Sequence, residues 1–255
     1  MMSLEHALER GVLVAARRET VFRCFTETPL WAAWWGPGSS IEAHPGGALL
    51  IQFPGDVSVT GAVIEIDAGR RIVFSYGYAD PGQPIPPAGS RVTLTLDDAE
   101  AGTRVTVRHE LHDPAVRDHH VQGWRHQLAL LANAACAEQH ARAAEIADRW
   151  FAAWAEPDAQ KRRAEVAALA VEGVAVRDAH ACLVGHDEVA AHMGAAQHYM
   201  PGVRLRREGD VRQCQGTALV AWSATAADGS PRGGGTNVVD FAPDGRIARV
   251  VGLPG

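Results

Sequence analysis

The feature that most limits the fold of this chain is a change of apolar period at Pro114. Upstream of it, Leu49/Ile51/Phe53, Ile72/Phe74/Tyr76/Tyr78, Val92/Leu94/Leu96 and Val105/Val107/His109 alternate apolar with polar or small residues. Period-2 alternation sets one strand face against a core and the other against water, as in an antiparallel sheet. Turn signals separate the runs: Pro45-Gly46-Gly47, Ala68-Gly69, Pro81-Gly82 and Ala101-Gly102. Downstream, Trp124, Leu128, Leu131 and Ala135 recur at the spacing of a long helix's buried stripe. Ahead of these strands, residues 12–14 read as a short strand and Arg18–Phe25 as a helix turned inward through Val21, Phe22 and Phe25. Leu30–Trp35 reads as a second helix, stopped by Gly36-Pro37-Gly38. The simplest assembly is a curved sheet gripping one long helix.

The second half restarts with helix and then sheet. Ile146, Trp150 and Trp154 carry a helical stripe to Glu156-Pro157, and Ala164–Val171 forms another helix. A strand over Val174–Asp178 and a helix over Asp187–Met200 precede strands at Val203–Gln213, Thr217–Ala226, Thr236–Phe241 and Ile247–Val251. At about 150 residues per domain, 255 residues leave room for two domains. The boundary falls near Glu138–His140, giving domains 1–138 and 139–255. No Gly or Pro interrupts 124–156, so the last helix of the first domain is expected to abut the first helix of the second as a rigid pair.

Composition excludes several classes. A net charge of −6, divided −5 and −1 between the halves, gives no basic footprint for nucleic acid. The cluster Arg204, Arg206, Arg207 and Arg212 alternates across one strand and reads as a solvated face. Cys24, Cys136, Cys182 and Cys214 are isolated, with no CxxC pair, and the apolar run Gly11–Ala16 is too short for a signal or a membrane span. A soluble protein of the cytoplasm, away from membranes, is expected. His180, His186, His192 and His198 recur every six residues, a spacing that cannot bring the last three to one helix face. With no HExxH, P-loop, GxGxxG turn or GxSxG elbow, no metal and no cofactor is expected.

Several motifs carry a family resemblance. Val21-Phe22, Trp31-Ala-Ala-Trp34-Trp35-Gly36-Pro37, Pro45-Gly46-Gly47, Gly61-Ala-Val-Ile-Glu65-Ile, Gly102-Thr103-Arg104 through His109, and Gly123-Trp124 occur in order. Residues 10–137 thereby resemble bacterial relatives of the activator of heat-shock-protein-90 ATPase, within the START-like (SRPBCC) ligand-binding superfamily. Trp150-Phe-Ala-Ala-Trp154, Asp178, Gly185, Pro201-Gly202, Trp222, Gly235-Thr236 and Asp244-Gly245-Arg246-Ile247 with Val250-Val251-Gly252 make residues 141–255 similar to SnoaL-like domains of the nuclear transport factor 2 superfamily. The resemblance implies an α+β protein of two domains. The first would be a helix-grip fold, a curved antiparallel sheet with a long C-terminal helix. The second would be a cone-shaped α+β barrel. Each implies a hollow between sheet and helix.

A mostly apolar hollow with a few polar points suits a small molecule. In the first domain Tyr76, Tyr78 and His109 share the inward strand face, with His109 and Tyr76 expected to orient a ligand. Trp34 and Trp124 are further wall candidates, although for at least two of Trp31, Trp34 and Trp35 packing between helix and sheet is the favoured reading. In the second domain Trp150, Trp222 and Asn237 are the wall candidates. SnoaL-like enzymes use acidic and histidine side chains in the cone, so the resemblance offers Asp178 and His180 as an acid–base dyad. A surface salt bridge or a strand-end turn is the competing reading, and the favoured one. The chain departs from that pattern in having Ala179 where proline is usual, and Asn237 where many relatives carry an acid. The expected function is therefore binding of a small, largely hydrophobic molecule in one or both hollows of a bacterial protein. Cyclase- or isomerase-like chemistry at Asp178 and His180, or a stress-related partnership with a chaperone, are the alternatives. The eukaryotic activators carry an additional N-terminal domain, whereas this chain begins almost at its first strand, which speaks against chaperone stimulation. A homodimer through the SnoaL-like sheet is a further implication.

Overall fold

A computed structural model describes residues 4–80 and 82–255; of the turn expected at Pro81-Gly82, Pro81 lies outside the described residues. The chain divides after Glu138 into two compact units, each α+β and each built on its own sheet.

The N-terminal unit runs β1 (His6–Val14), α1 (Arg18–Arg23), α2 (Thr28–Trp35), β2 (Ser40–Ile41), β3 (Ala48–Gln52), β4 (Ser58–Asp67), β5 (Arg71–Tyr78), β6 (Ser90–Ala99), β7 (Gly102–Leu111) and α3 (Pro114–Gln139). Its sheet has the order β1-β7-β6-β5-β4-β3-β2, antiparallel throughout. Alternation decides which face is buried. Thr103, Val105, Val107, His109 and Leu111 of β7 point inward, as do Ser90, Val92, Leu94 and Leu96 of β6. Against that face α3 lays Trp124, Leu128, Leu131, Ala132, Ala135 and Cys136. Helix α3 begins where its chemistry directs: the Asp113 carboxylate accepts the N–H of Ala115 at 2.7 Å, and Pro114 occupies the first turn, where no N–H is needed. Strand β4 escapes an alternation reading because its pairing with β5 shifts between Val63 and Glu65, a bulge that breaks the period of two.

The C-terminal unit comprises α4 (Ala143–Ala153), α5 (Ala159–Leu169), β8 (Ala170–Arg177), β9 (Cys182–Val184), α6 (Gly185–Tyr199), β10 (Arg204–Cys214), β11 (Thr217–Thr225), β12 (Pro231–Phe241) and β13 (Ile247–Pro254). Its strand order is β10-β11-β12-β13-β8-β9, with only β13 and β8 parallel. This corrects the expected barrel. The sheet is open, because three-residue β9 and long β10 end it without pairing to each other. A second correction concerns Ala170 and Val171, expected in a helix but lying in β8. Helix α5 is set from its start by Asp158, whose Oδ1 accepts from Gln160 and Lys161 N–H, each at 2.9 Å. The core joins Trp150 and Phe151 of α4, Val166 of α5 and Met193 of α6 to Val220, Val239, Phe241 and Ile247 of the sheet.

Candidate functional site

In the N-terminal unit the chain leaves a cleft of about 950 Å³, open to solvent on one side. One wall is the end of α2 with Trp34, Trp35, Gly36 and Pro37; a second is Gln52, Phe53, Pro54 and Val57; the floor is Tyr76 and Tyr78 of β5. Helix α3 closes it with His119, His120, Gln122, Gly123, Trp124, His126, Gln127 and Leu130.

Trp31 and Trp34 are held by hydrogen bonds of their own, whereas Trp35, whose indole N–H has no partner among the described residues, is held by ring packing. The Trp31 indole donates to the carbonyl of Leu50 at 3.2 Å and the Trp34 indole to that of Cys24 at 3.0 Å. Trp31 packs edge-on to Trp34 and Phe74, behind the cleft, while Trp35 meets Trp34, Phe53 and Trp124 at ring centroid distances of 4.2, 5.9 and 5.6 Å. Gly36 makes the turn out of α2 possible. Its φ is +130°, and a Cβ there would stand 2.5 Å from the carbonyl oxygen of Gln52.

His109 is placed differently from the expectation. It is fully buried and does not line the cleft, because Tyr76 and Trp124 stand between it and the open space. Its two ring nitrogens are both engaged. The Ser90 hydroxyl donates its single proton to the Tyr76 carbonyl at 2.8 Å, so it accepts from His109 Nε2–H, also at 2.8 Å. Nδ1 then accepts the Trp124 indole N–H at 3.0 Å. Burial, and next the neighbouring His120, push the His109 pKa down to about 3, in keeping with this neutral tautomer. His109 is a strut behind the cleft wall.

His120, which the sequence reading did not single out, takes the cleft position. Its Nδ1–H donates to the Val116 carbonyl at 2.8 Å, which leaves Nε2 as an acceptor facing the Tyr78 hydroxyl at 3.4 Å. Burial lowers its pKa, opposed by the bond to Val116 and aided by His119. Burial, and then Tyr78, raise the Tyr76 phenol well above its usual range. None of the twenty lining residues is Asp, Glu, Lys or Arg. The i, i+4 relation of His120 to Trp124 on α3 was the available signal, hidden because the apolar stripe was traced only from Trp124 onward.

In the C-terminal unit the space between α4 and the sheet is nearly closed. Trp150 and Asn237, with Phe151, Val220, Val239, Phe241 and Ile247 among others, line a void of about 10 Å³, room for about one water and no larger guest. Trp222 lies outside it, half-buried, with its indole N–H unpartnered among the described residues. Asp178 and His180 do not form a side-chain pair. The Asp178 carboxylate accepts the backbone N–H of His180 at 2.7 Å while Asp178 N–H reaches the Ala181 carbonyl at 3.0 Å, closing the turn between β8 and β9. That turn leaves the His180 side chain exposed. The proposed dyad is thus corrected to a strand-end turn, whose geometry is made by the aspartate's preference for its own backbone. Asp178 and Asn237 instead flank Gly252, where a Cβ would stand 3.1 Å from Asp178 Cβ and 3.4 Å from Asn237 Oδ1.

Among the described residues no three or more His, Cys, Asp or Glu side chains gather as a metal would need, and no helix is long and apolar enough to cross a membrane. Residues 15–135 match the family described as activator of Hsp90 ATPase homolog 1-like protein. Among solved structures, a SnoaL-like family protein from Agrobacterium tumefaciens is similar, with 31% identity over 46% of this chain and 98% of its own, at a TM-score of 0.43. Proteins from Mesorhizobium loti (16% identity, 50% of this chain and 94% of that one, TM-score 0.45) and Chromobacterium violaceum (22%, 49% and 94%, 0.43) are also similar. No curated protein matches the chain.

Proposed function

We propose, for a chain whose residues 15–135 belong to the family of activator of Hsp90 ATPase homolog 1-like proteins and whose other half is SnoaL-like, that the N-terminal unit binds a small, largely apolar molecule without covalent chemistry. The observation that carries this reading is the cleft of about 950 Å³, walled by Trp34, Trp35, Phe53, Tyr76, Tyr78 and Trp124 and free of acidic or basic chains other than histidine. A space of that size and lining matches small-molecule sites in general. Burial of the guest's apolar surface at about 25 cal/mol per Å² supplies the affinity, less the loss of its translational freedom. In this reading the seven-stranded sheet and α3 are a helix-grip, and the C-terminal sheet with its helices is a cone whose hollow has been filled. The C-terminal unit then contributes association rather than a second pocket. Supporting that, Leu219 and Leu253 are exposed on the same sheet face as the half-buried Val238 and Val251. That no disulfide joins Cys24, Cys136, Cys182 and Cys214 supports a reducing compartment.

The test is a titration of intact protein with apolar aromatic probes, read by tryptophan fluorescence and by thermal shift. Saturable quenching with a rise in melting temperature is the expected result. Absence of both across probes from one to four fused rings would overturn the reading, as would stoichiometric retention of a chaperone by protein that binds no probe.

A further inference from the structure

One polar pair of the cleft lining includes a histidine whose tautomer is fixed. Gln127 is committed, its Nε2 donating to the Trp34 carbonyl at 3.1 Å. His119, Gln122 and His126 are exposed at the rim. Besides Gln52, the Tyr76 hydroxyl, which meets that of Tyr78, and the Trp35 indole N–H, which has no partner among the described residues, the lining holds the pair formed by His120 Nε2 and the Tyr78 hydroxyl. His120 is 8% exposed, and with Nδ1–H spent on the Val116 carbonyl, Nε2 offers only a lone pair. At 3.4 Å the Tyr78 hydroxyl satisfies that lone pair poorly, since O–H donors prefer about 2.8 Å.

We infer that the cleft selects an uncharged aromatic alcohol or phenol, whose hydroxyl bridges His120 and Tyr78 from the cleft side, donating to His120 Nε2 and accepting from Tyr78 O–H. This rests on the proposed ligand binding and adds the polar group of the ligand. The argument is one of matching donors to acceptors. A hydroxyl has one proton and two lone pairs, so a single oxygen serves both side chains. An ether or ketone accepts from Tyr78 but leaves the buried imidazole nitrogen without a donor, a loss comparable to one unmade hydrogen bond. A carboxylate brings a charge into a cleft with no Lys or Arg to meet it, and has no proton for Nε2. The aromatic part is set by the floor and walls: Tyr76 and Tyr78 stand edge-on at 5.9 Å, and Trp35 and Trp124 at 5.6 Å, leaving ring faces and edges for a flat guest.

The experiment compares 2-naphthol, 2-methoxynaphthalene and 2-naphthoate by calorimetric titration of the full chain at pH 7.5, with wild type and His120→Phe. In wild type, 2-naphthol is expected to bind about 5- to 10-fold more tightly than 2-methoxynaphthalene, the equivalent of one neutral hydrogen bond. The naphthoate is expected to be weaker than either. In His120→Phe the ratio between naphthol and its methyl ether falls to near one. Equal binding of naphthol and ether in wild type overturns the inference while leaving apolar binding intact. A ratio that persists in His120→Phe overturns it also, because the ether's extra bulk would then be the cause. If the variant does not fold, the wild-type comparison and Tyr78→Phe, which should reduce the ratio, still decide. Failure of all three probes to bind removes both this inference and the reading beneath it.

Discussion

The two units are made of similar parts, a sheet with a tryptophan-bearing helix laid against it, yet the space beside the tryptophans is about 950 Å³ in one and about 10 Å³ in the other. The difference lies in where the indoles are tied. In the N-terminal unit Trp31 and Trp34 spend their N–H groups on the carbonyls of Leu50 and Cys24, and Trp124 spends its own on His109. Each of these three rings is thereby held at an edge, and Trp35, whose N–H has no partner among the described residues, is wedged against Trp34, Phe53 and Trp124. In the C-terminal unit Trp150 and Phe151 lie with Val220, Val239, Phe241 and Ile247 around a void no larger than a water. The cleft survives because hydrogen bonds and ring packing together hold its largest side chains to the walls.

The most forceful way to break the comparison is to open the closed unit. Trp150→Ala should destabilise the C-terminal unit by about 3–5 kcal/mol, measured by urea denaturation, because a large buried ring is lost and the space refills only in part. Acid gives the next largest effect, and it acts on the open unit. His109 takes up a proton at about 3 when folded but near 6.5 when unfolded, so between those values the unfolded chain holds the extra proton. Stability is full above pH 6.5 and falls below it by about 1.4 kcal/mol per pH unit, hence about 2 kcal/mol at pH 5. Denaturation midpoints of the N-terminal unit at pH 7.5 and 5 check this, and the slope should flatten in His109→Gln. The smallest energetic change sharpens the comparison. Gly123 lies within α3 on the cleft wall, and a Cβ there would meet nothing within 4 Å. Gly123→Ala should therefore stabilise the unit by about 0.5–1 kcal/mol, while Gly123→Trp should fill the cleft and abolish probe quenching without loss of stability. Retained binding in Gly123→Trp would mean that the probes sit elsewhere.

Much of this was legible in the chain itself. The switch of period at Pro114 marked α3, and the alternations of β5, β6 and β7 marked their buried faces, because both follow from side-chain geometry within one element. Strand β4 was not read, since its bulge breaks the only pattern that would have announced it. The assignment of His109 to the cleft failed for a different reason. Parity says which face a residue occupies but not its depth, and only the approach of Trp124 from a distant helix decides that His109 is sealed while His120 is presented. Asp178 and His180 illustrate the same limit in reverse: a spacing of two suggests a shared face in a strand, but the strand ends at Arg177. Beyond it the carboxylate answers to its nearest N–H.

The chain of hydrogen bonds from Trp124 through His109 and Ser90 to the Tyr76 carbonyl spans α3, β7, β6 and β5. It acts as a spacer of set length between helix and floor, so the two cannot drift apart by repacking alone. Descendants of this sequence adapting to a bulkier guest would find that route blocked. Their freedom lies in the opposite rim, the stretch from Phe53 to Val57 between β3 and β4, where a longer loop would enlarge the mouth and leave the strut untouched.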